Sequence, residues 1–145
     1  MKYLVLVRYG HHAGGYLTEE GKRSIFTAAE KLKTFVGNKK IIVIAPALPR
    51  AFESGQIIAN SLDAKLLIND SLYAAEEDGK FPNNNKAKEF VESFKDDVEL
   101  LIAIASREYI ESLPSYLLSQ NLDTKLDRGE CLILDFNKGI VEYLR

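Results

Sequence analysis

Cysteine is nearly absent: Cys131 is the single one, so no intramolecular disulfide can form. It sits in Cys131-Leu132-Ile133-Leu134, which reads as a buried strand, so a core thiol is expected and not a reactive one. One cysteine also fits a reducing cytoplasm. Long apolar runs are missing too. The stretch 1–7 breaks off at Arg8, too soon for a secretory leader. No other run approaches the ~18 residues of a membrane helix. The expectation is a soluble cytoplasmic protein with no membrane partner. There is no excess of positive charge: the net charge is −2, which argues against nucleic acid as a partner and leaves room for a local cationic pocket. Histidine is scarce. His11 and His12 are the two present, and neither has a partner at metal-binding spacing, so no metal and no cofactor is expected.

What is present describes one ordinary domain, residues 1–145, with 46% apolar and 28% charged residues. Residues 3–7 form a continuous apolar, β-rich run, as in a strand buried on both faces. A Gly- and His-containing loop spans 10–16. A helix then opens at Thr18, which can cap it, with Glu19 and Glu20 complementing the positive end. Ile25, Ala28, Ala29 and Leu32 give it one buried face, and it fades near Gly37-Asn38. Strands are expected at 40–45, 65–68 and 98–105. Helices are expected at 49–61, 86–95 and 109–118, the last interrupted or bent at Pro114. Residues 70–85 read as a long loop, and its acidic part as a solvated surface. Residues 131–136 and 140–144 read as a terminal hairpin. The order βαβαβ(loop)αβαββ predicts an α/β fold, a three-layer sandwich with a mainly parallel central sheet.

Parallel sheets bind ligands beyond the carboxyl ends of their strands. Arg8, Arg50 and Arg107 each follow such an end and lie near a helix start or loop. Three planar forks of donors there suit a phosphate-like oxyanion. The alternative is three surface arginines among 19 basic residues. Topology alone leaves both open. The lysines at 31, 33, 39 and 40 read as a wet edge, and Phe94, Tyr109 and Tyr116 as helix faces.

The residues themselves narrow the choice. Val7-Arg8-Tyr9-Gly10 resembles the Arg-His-Gly signature of the histidine phosphatases and phosphoglycerate mutases. Leu17-Thr18-Glu19-Glu20-Gly21 is similar to the segment opening their first helix. Ala47-Leu48-Pro49-Arg50-Ala51-Phe52-Glu53-Ser54 resembles their second arginine motif, with Ser54 where they carry threonine. Ile102-Ala103-Ile104-Ala105-Ser106-Arg107 occupies the place of their second catalytic histidine. The start Gly129-Glu130-Cys131 of the last hairpin is similar as well. These anchors come in family order over most of the chain, and the short length is most like the small phosphohistidine phosphatases.

The resemblance implies a phosphoglycerate mutase-like fold. It also implies a histidine nucleophile that takes the phosphoryl group, a second histidine and two arginines that bind it, and a carboxylate that protonates the leaving group. Arg8 and Arg50 match the arginines. Tyr9 stands at the nucleophile position and Arg107 at the second-histidine position. No glutamate occupies 71–74, where the acid would fall; Glu76, Glu77 and Asp78 are neighbours. A phenol with an ordinary pKa of about 10 is ~0.1% ionised at pH 7. It is also bulkier than imidazole, and a misplacement of about 1 Å can lower a rate ~100-fold. Arginine cannot attack or donate a proton at neutral pH, but it binds phosphate.

Three functions follow. The first is a catalytically impaired, phosphatase-like domain in which Arg8, Arg50 and Arg107 bind the phosphate of a small molecule or phosphoprotein. The second is a phosphatase with a rebuilt nucleophile, Tyr9 or His11. The third is a protein-interaction domain with a vestigial site. Whether the chain is an enzyme, and its oligomeric state, stay open on the sequence.

Overall fold

The computed structural model describes residues 1–144. Four apolar runs build its centre. β1 (Tyr3–Arg8), β4 (Ile41–Ala45), β5 (Leu66–Ile68) and β6 (Leu100–Ala105) lie parallel in one sheet. β7 (Cys131–Asp135) and β8 (Ile140–Leu144) add an antiparallel hairpin, giving the order β5-β4-β6-β1-β7-β8. The sheet is therefore mainly parallel, as expected.

Neighbouring residues in the central strands point to opposite faces, and both faces are apolar. Leu4, Leu6, Leu101, Ala103, Leu132 and Leu134 pack on one side. Val5, Val7, Ile102, Ile104, Cys131 and Ile133 pack on the other. A strand covered on both sides has no polar face, which is why these runs are continuous in sequence. α1 (Glu19–Val36) and α2 (Pro49–Leu62) cover the second face through Ile25, Leu32, Ala51 and Ile58. α3 (Asn84–Glu92) and α4 (Arg107–Leu118) cover the first through Ala87, Val91, Ile110 and Leu113. The result is a three-layer sandwich. No helix among the described residues is long and apolar enough to cross a membrane.

Thr18 caps α1 as expected, its hydroxyl accepting from the Gly21 N–H at 3.0 Å. Cys131 is fully buried in β7, and burial pushes its thiol pKa up to about 12.

Three local readings need correction. The stretch 10–16 is not a plain loop: β2 (His12–Ala13) and β3 (Tyr16–Leu17) form a small hairpin. Gly14 and Gly15 turn it with φ of 60° and 87°, the left-handed conformations a two-residue hairpin turn requires. α4 begins at Arg107, two residues earlier than expected, and runs unbroken through Pro114. Proline removes the N–H that would satisfy the Ile110 carbonyl, and the buried Thr124 hydroxyl donates to that carbonyl at 2.6 Å instead. Within the expected loop 70–85, a 3-10 turn forms at Glu76–Asp78 and a bridge joins Ala75 to Lys80.

Candidate functional site

In register, Arg8 ends β1 opposite Ala105, the last residue of β6, and β4 lies on the other side of β6. The sequence leaving all three ends carries the expected arginines: Arg8 at the end of β1, Arg50 in the first turn of α2 and Arg107 as the first residue of α4. The structure brings all three, with Tyr9, to the wall of one cavity of about 170 Å³.

Close packing fixes Tyr9. The loop after it lies against the start of α1, where a Cβ on Gly21 would fall 2.1 Å from the His11 carbonyl oxygen. A Cβ on Gly10 would fall 2.7 Å from the Gly21 carbonyl oxygen. The Gly10 N–H donates to the Ser54 hydroxyl at 3.3 Å, and that hydroxyl donates to the Arg50 carbonyl at 2.8 Å. Ser54, fully buried, thus links the Tyr9 loop to the Arg50 helix. The Tyr9 ring faces the Arg50 guanidinium, whose carbon lies 4.9 Å from the ring centroid. The His12 ring meets it edge-on at 5.7 Å.

The opposite wall is the segment after β5. The Ala74 N–H donates to the Ser106 hydroxyl at 2.9 Å, and the Glu76 N–H donates to the Glu108 carboxylate at 2.9 Å. The Ser106 N–H in turn donates to the Leu72 carbonyl at 3.1 Å. With its hydroxyl engaged there, Ser106 makes no side-chain cap on α4. Tyr73 and Glu77 from this wall also line the cavity. Burial raises the Tyr73 pKa above the usual phenol range, against the opposing pull of Arg50, so its hydroxyl stays a donor at neutral pH.

A fourth guanidinium, Arg128, completes the lining. Four cations therefore share a small space, and two are incompletely satisfied. Among the described residues, the Nε groups of Arg8 and Arg50 are buried without a hydrogen-bond partner, although Nη1 of Arg8 donates to the Leu126 carbonyl at 2.8 Å. Leaving a buried donor unpaired costs about 1–3 kcal/mol. Arg107 has a divided setting: it lines the cavity, yet its side chain is 48% exposed and contacts Glu111 at 3.8 Å.

His11 is exposed and does not line the cavity. Its neighbour His12 is the histidine against Tyr9. Burial, then the cationic Arg50 and Arg128, lower the His12 pKa below the usual histidine range. No described group of three or more His, Cys, Asp or Glu residues could hold a metal ion. Tyr73 and Arg128 carry no mark of a site in the sequence, and Glu77 lies only near the position expected for an acid. Glu77 belongs to the acidic run read as a solvated surface, and Arg128 shows itself in sequence only as an arginine before the Gly129 turn.

No family model matches the chain, and no curated protein is found similar to it. Solved structures are similar throughout its length. A protein histidine phosphatase SixA complexed with tungstate superposes with a TM-score of 0.76 at 14% identity, over 99% of this chain and 94% of that one. The fold is that of the histidine phosphatases. A mycobacterial glucosyl-3-phosphoglycerate phosphatase in complex with VO3 gives 0.71 at 14% identity over 93% of each chain. The phosphoglycerate mutase of Plasmodium falciparum gives 0.65 at 23%, over 99% of this chain and 89% of that one. A chain of this fold thus carries Tyr9 and Arg107 at the cavity.

Proposed function

We propose that this domain binds the phosphate group of a small molecule or phosphoprotein and has lost, or nearly lost, phosphatase chemistry. The observation that carries the reading is the pair of buried, unpartnered Nε groups on Arg8 and Arg50 beside a cavity lined by two further arginines. An oxyanion supplies acceptors for guanidinium groups that line the cavity, and guanidinium forks match its geometry. That two similar proteins were solved with tungstate and VO3 supports an oxyanion as the occupant. The loss of chemistry rests on Tyr9, whose ring contacts are the Arg50 guanidinium and the His12 ring. The reading includes a cytoplasmic location, in keeping with one buried thiol.

The test is turnover of a phosphoramidate and an aryl phosphate, beside calorimetric binding of inorganic phosphate. The parent is expected to bind phosphate without turnover. Arg8→Ala and Arg50→Ala are expected to lose that binding, and Tyr9→His/Arg107→His to gain turnover. Unchanged phosphate binding in both alanine variants would overturn the reading.

A second reading is a phosphatase rebuilt on Tyr9, favoured by the Glu77 carboxylate on the far wall of the same cavity. There the Tyr9 oxygen would form the bond to phosphorus as the ester or phosphoramidate bond breaks, its proton passing to solvent and the leaving group taking one from solvent or through Glu77; water would then cleave the phosphotyrosyl bond, returning a proton to Tyr9 and releasing phosphate. It requires turnover in the parent that Tyr9→Phe abolishes. His11, exposed and outside the cavity, gains no support as the nucleophile.

A further inference from the structure

The four arginines of the cavity fall into two pairs. Arg8 and Arg50 form the inner pair, with buried Nε groups, on a strand end and a helix start. Arg107 and Arg128 form the outer pair, both exposed. Among the described residues the outer pair makes one ion pair, and that a long one: Arg107 contacts Glu111 at 3.8 Å, and Arg128 makes none. Neither carboxylate on the cavity lining, Glu77 or Glu108, lies within ion-pair distance of a described arginine.

The turn that carries Arg128 is nevertheless held in place. The Arg8 side chain donates to the Leu126 carbonyl at 2.8 Å, and the Gly129 N–H donates to the Arg8 carbonyl at 3.0 Å. The Arg8 N–H donates to the Glu130 carbonyl at 3.0 Å. Three bonds from the inner arginine's own residue thus clamp the turn that carries the outer one. Gly129, at φ 81°, packs on Ser24 of α1, where a Cβ would meet the serine hydroxyl at 2.6 Å.

A phosphomonoester carries about −1.5 to −2 charges at pH 7, which the two inner guanidiniums match. An outer pair on the same cavity then faces a second anionic group. Building on the phosphate-binding reading, we propose that the cavity seats a diphosphate: the inner phosphoryl group on Arg8 and Arg50, the outer one on Arg107 and Arg128. The ligand class is two linked phosphoryl groups, either free inorganic diphosphate or the diphosphate end of an organic molecule.

Calorimetric titration with orthophosphate, inorganic diphosphate and ADP in magnesium-free buffer tests this. The parent is expected to bind diphosphate about tenfold or more tighter than orthophosphate, as one further charge-assisted contact implies. Arg128→Gln is expected to collapse that ratio toward one, and Arg128→Lys to restore part of it. Circular dichroism checks that both variants are folded. ADP binding like diphosphate identifies an organic ligand; diphosphate alone identifies the inorganic anion. Equal affinity of the parent for orthophosphate and diphosphate overturns the two-group seat and leaves phosphate binding standing. An undiminished ratio in Arg128→Gln also overturns it. Binding of neither anion overturns both.

Discussion

Replacing Arg50 with methionine should make the empty protein more stable and the phosphate-saturated protein less so. Methionine keeps most of the apolar stem and removes a guanidinium whose Nε is buried and unpaired. Relief of one orphaned donor is worth about 1–3 kcal/mol. Loss of the stacking on Tyr9, at 4.9 Å, offsets about 0.5–1 kcal/mol at a partly exposed site. The expected net gain is about 1 kcal/mol, or roughly 2–4 °C in Tm for a chain of this size. Phosphate reverses the order. At 100 times its Kd a ligand adds about 2.7 kcal/mol to the protein that binds it, roughly 5–11 °C, and Arg50→Met should receive little of this. Thermal unfolding of both proteins, with and without phosphate, should give curves whose order crosses. The reasoning fails if Arg50→Met is less stable without phosphate and keeps the parent's phosphate-induced shift.

Gly21→Ala should destabilise the fold by about 2 kcal/mol or more, because its Cβ would sit 2.1 Å from the His11 carbonyl oxygen, a backbone atom; the urea midpoint measures it. Thr124→Val should cost about 1–2 kcal/mol by leaving the Ile110 carbonyl without the donor that replaces the missing N–H of Pro114. A stability near that of the parent would remove this account of the unbroken helix. His12, with a lowered folded pKa, binds its proton more readily when the chain is unfolded. Its contribution is therefore present above the unfolded pKa of about 6.5 and is lost as pH falls through the lower folded value. His12→Gln should flatten stability against pH in that window, and an unchanged slope would show that His12 does not contribute to it.

The parts of the fold that depend on repeating chemistry were legible. Strands buried on both faces write themselves as apolar runs such as 3–7 and 100–105, and α1 shows its buried face at three- and four-residue spacing. Arg8, Arg50 and Arg107 could be placed together because each follows a strand that topology puts at one edge. The remainder depends on contacts without period. Pro114 reads as a break until Thr124, ten residues further along the chain, is seen to serve Ile110. The hairpin at 12–17 does carry a sequence signal, the Gly14-Gly15 pair, whose positive φ angles suit a two-residue turn. Arg128 reaches the cavity because a turn is clamped to Arg8, a fact of tertiary hydrogen bonding. His12, not His11, meets Tyr9 because the hairpin sets which of two adjacent side chains turns inward.

The stitching of residues 72–76 to Ser106 and Glu108 bears on how fast a ligand arrives. A wall already bonded to its neighbour has no closing motion to complete before the complex forms. Association should then be a single bimolecular step, set by diffusion and by the field of the four arginines lining the cavity. Its rate should fall steeply as salt screens that field over a Debye length of about 8–10 Å. Dissociation, governed by contacts inside, should change far less.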